Sequence, residues 1–184
     1  MSTLTLQGQI SRIFNGNRRD IVTMYIKGRR INFPQVVFSG RDRDLLEGFK
    51  EGDYVRIDGT IKTRGDRQED GRIIHNQFIR CSDISIADEP SEDEGFEFVN
   101  EAVIDGTIVK SMVGEKMITL LVNPDGEKFN IWMYKYCEDP DSEIGGFEPD
   151  SKISASCEIQ TSRKTIRGEV KFFENVVIKE ANVR

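Results

Sequence analysis

The segment Tyr54–Thr63 alternates between two kinds of position: Val55, Ile57, Gly59 and Ile61 fall on one face, Tyr54, Arg56, Asp58 and Lys62 on the other. A period of two held over ten residues marks a β-strand with one face on a core and the other toward water. The same period recurs along the first half of the chain. Leu4, Leu6, Gly8 and Ile10 alternate with polar residues and end at Asn15-Gly16-Asn17; Val22, Met24 and Ile26 alternate next and end at Gly28. Ile31–Phe38 forms a third strand, Tyr54–Thr63 a fourth, and a polar loop over residues 64–72 leads to a last strand through Phe78 and Ile79 toward Ile86. Between the third and fourth strands, Ser39–Phe49 reads as a helix of two or three turns. Ser39 and Asp42 are spaced as a capping pair, Leu45, Leu46 and Phe49 share a face, and Gly52 supplies the stop. Arg41 and Arg43 on that helix are expected to neutralise Asp42 and Asp44.

The second half repeats the scheme. Val103–Val109 and Met117–Val122 are strands, Asn123-Pro124-Asp125-Gly126 is a tight turn, and Phe129–Tyr136 follows. A connection rich in Pro, Gly and acids spans Cys137–Asp150, then come Ile153–Thr161, a basic turn with Arg163 and Lys164, and Ile166–Ile178. Glu158–Arg163 lies over Gly59–Arg64 without a gap, which points to an internal duplication. Five strands with a helix between the third and fourth match a Greek-key OB barrel; a five-stranded SH3-like barrel, which usually lacks that helix, is the competing topology. Gly8 and Gly59 sit within strands, where the curvature of a small barrel calls for glycine. The expected fold is therefore all-β: two tandem five-stranded Greek-key OB barrels, the first with a short helix between strands three and four.

Charge divides the chain in the same place. The 184 residues carry 26 Lys and Arg against 32 Asp and Glu, a net charge of −6 that by itself argues against a nucleic-acid partner. The excess acid is local. Residues 1–88 hold 15 basic and 12 acidic side chains, residues 89–97 five acids and no base, and residues 98–184 hold 11 basic and 15 acidic side chains. The expected organisation is an Arg-rich first domain at 1–88, an acidic linker at 89–97, and a divergent, acidic second domain at 98–184.

The stretch Phe33–Arg72 resembles the bacterial and phage single-stranded DNA-binding protein (SSB) family. Lys50, Gly52, Asp53, Val55, Ile57, Gly59, Ile61, Thr63, Arg64, Asp70 and Gly71 fill that family's pattern as spaced. The resemblance covers roughly residues 4–80, and the second half joins it by inferred architecture alone. It implies that Phe33 stands at a base-stacking position and that Arg64 opens a DNA-contacting loop between strands four and five. By analogy, two barrels per chain would let a dimer supply the four units typical of the bacterial family, with a working monomer as the alternative. Two features depart from the pattern. Gly65 and Asp66 stand where an aromatic often follows the Arg, and the chain ends Glu-Ala-Asn-Val-Arg in place of an acidic tail closed by a hydrophobic dipeptide. The internal acidic block with Phe96 and Phe98 has a composition related to that tail.

A sequence-tolerant single-strand binder needs cations for phosphates and flat side chains for bases. The first half offers Arg18 and Arg19 after strand one, Lys27, Arg29 and Arg30 about the next hairpin, and Lys62, Arg64, Arg67 and Arg72 on strand four and its loop. Tyr25 has the non-core parity of its strand and either covers barrel surface or forms a stacking platform with Phe33, whose own parity, face or core, is left open by the neighbouring Val36 and Val37. In an OB barrel these loops border the face of strands two and three, so the clusters are expected to converge on one groove. In the second half Trp132, Tyr134 and Tyr136 share a strand face that suits base stacking and an intersubunit or interdomain contact equally. Lys110, Lys135, Arg163, Lys164 and Arg167 are the cations positioned to help there.

Other chemistry finds no foothold. A lone His75, and Cys81, Cys137 and Cys157 without a C-x-x-C spacing, supply neither a zinc site nor a His-dependent mechanism. There is no Walker-type loop, no G-x-S-x-G and no H-E-x-x-H. Asp139–Glu143 reads as a mobile acidic loop rather than a cation site. No apolar run is long enough for a membrane span, and MSTLTLQGQISRIF lacks a secretory pattern, so a cytoplasmic location with reduced thiols is expected. The resulting expectation is a non-enzymatic single-stranded DNA-binding protein of a bacterium, phage or mobile element, without cofactor or metal, acting in replication or recombination. RNA is a weaker alternative ligand. The rival class is an OB-fold protein–protein adaptor of a replication or conjugation assembly with little DNA binding.

Overall fold

The computed structural model describes residues 1–67, 71, 73–88, 97–166 and 169–184, and the chain is mostly β with short helical segments. It falls into two compact units. One comprises Thr3–Ile61 with Phe78–Glu101; the other comprises Met1–Ser2, Lys62–Gln77 and Ala102–Arg184. The acidic segment 89–96 lies outside the described residues. Among those described, no helix is long and apolar enough to cross a membrane.

In the first half the strands are β1 (Ser2–Asn15), β2 (Arg19–Lys27), β3 (Ile31–Asn32), β4 (Gln35–Ser39), β5 (Tyr54–Arg67) and β6 (Ile73–Ile86). β1 runs antiparallel to both β2 and β5, β2 to β4, and β4 runs parallel to β6. With β5 beside β6, the pairings close on themselves. The expected third strand is broken in two at Phe33–Pro34. Proline has no N–H for a ladder, and there the Pro34 carbonyl accepts from the Met24 amide at 3.0 Å. The inward positions of the alternating strands build the core: Leu6, Ile10, Val22, Met24, Ile26, Val55, Ile57 and Ile61 are all buried, capped by Phe38 and Ile79.

The second half contains β7 (Val99–Val113), β8 (Met117–Pro124), β9 (Ile131–Tyr136), β10 (Lys152–Ile166) and β11 (Glu169–Val183). Its pairings repeat those of the first, with β9 parallel to β11 in the place of β4 and β6. The repeat is exact to the residue along the first and fourth strands: Leu4↔Gly59 becomes Ala102↔Cys157 and Gly8↔Val55 becomes Gly106↔Ile153, each number raised by 98. The extra residue in β1 between Ile10 and Arg12 recurs in β7 between Ile108 and Lys110. Gly52, with φ of 96°, is matched by Asp150, with φ of 69°, and each donates its amide to the corresponding isoleucine carbonyl, Ile10 or Ile108. Glu158 does not lie over Gly59 as the sequence suggested; Cys157 does, because the two copies keep a spacing of 98 and not 99.

Two local expectations change. Residues Gly40–Leu46 form a 3-10 helix, Ser39 makes no side-chain cap, and none of its residues is buried. Asp42 instead accepts from Arg80 at 2.8 and 2.9 Å. The connection after β9 is not a mobile acidic loop: Pro140–Glu143 is a short α-helix whose cap residue Asp139 accepts from the Ser142 amide at 3.3 Å, followed by a 3-10 turn at Ile144–Gly146. Asp before Pro at the first helical position is a start signal in its own right.

A β-carbon on Gly8 would stand 2.5 Å from the Tyr25 carbonyl oxygen and 2.9 Å from the Ile26 side chain. Gly8→Val is therefore expected to cost about 2 kcal/mol through overpacking, read as a lower midpoint in urea unfolding. Burial pushes the Cys81 and Cys157 thiols up to about 12. In the native protein a thiol reagent at pH 8 should titrate Cys137 alone, and all three thiols only in denaturant. Because the folded pKa values exceed the unfolded ones, the stability these thiols contribute is present below pH 9 and lost as pH climbs toward 12. Urea midpoints at pH 8 and pH 10.5 check the sign.

Candidate nucleic-acid interface

Along β2 the inward side chains Asp20, Val22, Met24 and Ile26 are buried, and Arg19, Ile21, Thr23, Tyr25 and Lys27 point to the other side. The strand thus carries a cation at each end of one face, about 26 Å apart at ~3.3 Å per residue. Toward the Lys27 end, the Tyr25 ring meets Phe33 edge-on, with centroids 5.8 Å apart and planes at 61°. Phe33 is 42% exposed, while its neighbour Asn32 turns inward and is buried, which resolves the parity that Val36 and Val37 leave open in the sequence.

A third ring completes the cluster. Phe98 also lies edge-on to Tyr25, with centroids 5.8 Å apart and planes at 77°, and the Gln7 side-chain amide donates to the Glu97 carbonyl at 2.8 Å. In the sequence Phe98 belongs with the acidic block. An aromatic ending a run of acids was the available signal, but only the fold brings it back onto β2.

Two basic loops border this face. Lys27, Arg29 and Arg30 are exposed about a turn closed by the Gly28 amide on the Arg30 carbonyl at 3.1 Å. Arg18 on the β1–β2 loop and Arg19 at the start of β2 are exposed at the opposite end, so these clusters frame the face from two ends and do not meet at one point. That loop is tied down by Arg43. Its guanidinium donates to both carboxylate oxygens of Asp20, at 2.8 and 3.0 Å, and to the carbonyls of Gly16 and Asn17, at 3.1 and 3.3 Å. The Gly16 amide adds a bond to Asp20 at 3.1 Å. The hydrogen bond to Asp20 raises the Arg43 pKa further. Arg43 therefore serves the loop and Asp20, where the sequence paired it with its helix neighbours. A buried carboxylate needs this treatment: charge-assisted bonds replace the water it has lost.

The remaining candidates belong to the other compact unit. Lys62 is engaged, its Nζ 2.7 Å from Glu127 Oε1 and 5.0 Å above the Phe129 ring, and the adjacent Thr63 hydroxyl donates to the Asn130 carbonyl at 2.7 Å. Arg64 is exposed on β5; the side chain of Arg67, and Arg72 entirely, lie outside the described residues. Trp132 and Tyr134 are half-buried on the outward face of β9, with Tyr136 exposed, while Ile131 and Met133 are buried inward. The Trp132 amide donates to Gln77 Oε1, and burial raises the Tyr134 hydroxyl pKa. Lys135 is paired with Glu143 and sits 5.7 Å over the Phe147 ring.

The repeat shows how the two faces differ. Raising residue numbers by 98 places Asn123 at the position of Tyr25, and Asp125-Gly126-Glu127-Lys128 at that of Lys27-Gly28-Arg29-Arg30. The Asn123 amide is spent on its own turn, donating to the Phe129 carbonyl at 2.9 Å and to Asn130 Oδ1 at 3.1 Å. A basic aromatic hairpin in one copy is an acidic, self-satisfied one in the other.

Arg43→Ala is expected to lower the melting temperature by leaving Asp20 buried and unpaired, and Asp20→Asn in that background should recover part of the loss. Thermal melts of the single and double variants check this; an equal or larger loss in the double variant would contradict it.

No family model matches the chain, and no curated protein matches it. Over its whole length the chain is similar to the crystal structure of the wild-type single-stranded DNA binding protein from Thermus aquaticus, with a TM-score of 0.70, 10% identity and 93% of that chain covered. A deletion mutant of the same Thermus aquaticus protein matches with a TM-score of 0.68, 9% identity and 94% of that chain covered. The resemblance first read from Phe33–Arg72 thus extends to the whole chain at the level of architecture: its fold is that of the Thermus aquaticus single-stranded DNA binding protein.

Proposed function

We propose that this chain is a non-enzymatic single-stranded DNA-binding protein that protects exposed strands in replication or recombination. The domains would be two tandem five-stranded Greek-key OB barrels, residues 1–88 and 98–184, joined by the acidic segment 89–97. The observation that carries the reading is the outward face of β2, where the Tyr25–Phe33–Phe98 cluster sits next to Lys27, Arg29 and Arg30. In OB folds the face of the second and third strands, with its flanking loops, is where oligonucleotides bind. Among the described residues, Arg18, Arg19, Lys27, Arg29 and Arg30 form no ion pair, so their charge is available to phosphate. The fold likeness to the Thermus aquaticus single-stranded DNA binding protein supports the same ligand.

Binding energy would come from counterion release and from stacking worth about 1–3 kcal/mol per base. Oligo-dT titrated against the protein at 50 and 300 mM salt should show affinity falling with salt. Phe33→Ala should weaken binding by roughly tenfold, and Arg29→Ala/Arg30→Ala should flatten the salt slope by about two. Absence of binding at 50 mM salt would sink the proposal. Competition by oligo-U tests RNA through the same face.

A second reading applies to the second half. The acidic hairpin Asp125–Lys128 and the engagement of Lys62 and Lys135 favour a protein contact for the Trp132/Tyr134 face, as in an adaptor of a replication or conjugation assembly. If that face joins two copies, sedimentation should show a homodimer that Trp132→Ala weakens.

A further inference from the structure

The bulge in β1 changes which of its side chains belong to the β2 face. Before the bulge, Gln9 pairs with Tyr25 on the outward side and Ile10 with Met24 on the inward side. Ser11 is the extra residue. Beyond it Arg12 pairs with Thr23 and Phe14 with Ile21, so even-numbered positions that pointed into the core now point out. The third strand extends the same rows, with Thr23 beside Gln35 and Ile21 beside Val37. Arg12 thus occupies the middle of the face. Phe14, 56% exposed, shares a row with Ile21 and the buried Val37 at the end near Arg18 and Arg19.

We infer that Arg12 and Phe14 form a second nucleotide-contacting station on this face, with Phe14 stacking on a base and Arg12 meeting the phosphate between Phe14 and the Tyr25–Phe33 cluster. The inference rests on the single-strand-binding reading and deepens it. Phe14 is exposed on the same face as Arg12, between cations at both ends, and this pairing of a flat apolar ring with a phosphate-binding side chain is what single-strand binding uses. Ile21 and Tyr25 are four residues apart on β2, about 13 Å at ~3.3 Å per residue. That exceeds the ~3.4 Å rise between stacked neighbours, so the two stations take non-adjacent bases and the strand runs along β2 from the Lys27 hairpin toward the Arg18–Arg19 loop. The second copy carries the same bulge at Val109 and puts Lys110 at the position of Arg12, but Met112 replaces Phe14. The cation is repeated and the aromatic is not, which places the added stacking in the first half alone.

The test uses the full chain with 30-nucleotide oligo-dT. Phe14→Ala, whose folding is checked by circular dichroism, should weaken binding by roughly fivefold to tenfold. Arg12→Ala should reduce the salt slope by about one. Phe14→Trp should retain affinity and show emission quenching on dT addition beyond that of the chain's one native tryptophan, Trp132. If wild type binds and Phe33→Ala weakens it, yet Phe14→Ala binds as wild type and Phe14→Trp shows no added quenching, this inference falls and the proposed function stands. If wild type fails to bind, the function itself falls.

Discussion

At Gly8 the chain passes so close to the neighbouring strand that a β-carbon would meet the Tyr25 carbonyl at 2.5 Å, and Gly106 makes the corresponding approach to Asn123. This contact lets β1 bend across β2 on one side and β5 on the other, and so lets the pairings close. The geometry of the candidate site depends on it. Two residues beyond Gly8 the β1 ladder ends its first register, the bulge at Ser11 takes up the change in direction, and the side chains that follow are delivered to the opposite face. Strong curvature needs such a device within a long strand.

The interior and the face are consequences of one alternation. Leu6, Ile10, Met24 and Val55 fill the inside, and the residues between them are free to carry function. Tyr25 is on the face because Met24 and Ile26 are in the core. Where the pattern breaks, the break does something specific. Pro34 interrupts the third strand and leaves Phe33 exposed against Tyr25, and Asp20, a carboxylate at a core position, becomes the anchor for Arg43 and the loop bearing Arg18 and Arg19.

The two halves share one backbone frame and differ in their outward side chains. Strand pairing, the bulge and the left-handed residue before the fourth strand are all kept at a spacing of 98. Asp20 is replaced by Ile118, so the second copy has no counterpart of the buried ion pair; its hairpin is acidic, and Tyr25 becomes an asparagine satisfied by its own turn. Backbone geometry is preserved because closure depends on it, whereas outward side chains change freely because the core does not sense them. The acidic total of the chain therefore weighs on the second face and says little about the first.

The strands, their inward residues and the basic hairpins were legible from the sequence because a period of two and a turn signal are local properties. The Pro34 break, the short helix at Pro140–Glu143 and the 3-10 form of Gly40–Leu46 had local signals too, but competing ones: a Val-rich run, an acidic cluster and an apparent capping pair. What no local pattern could supply was long-range placement. Phe98 is 73 residues from Tyr25 in the chain, and Arg43 is 23 from Asp20. Phe14 faces outward only because one unpaired residue, Ser11, shifts a register that exists solely between two strands. The sequence by itself determined which side chains could be buried and which charges were available. The tertiary structure decided which of them share a surface, because register and closure are properties of strand pairs, and no single strand carries them.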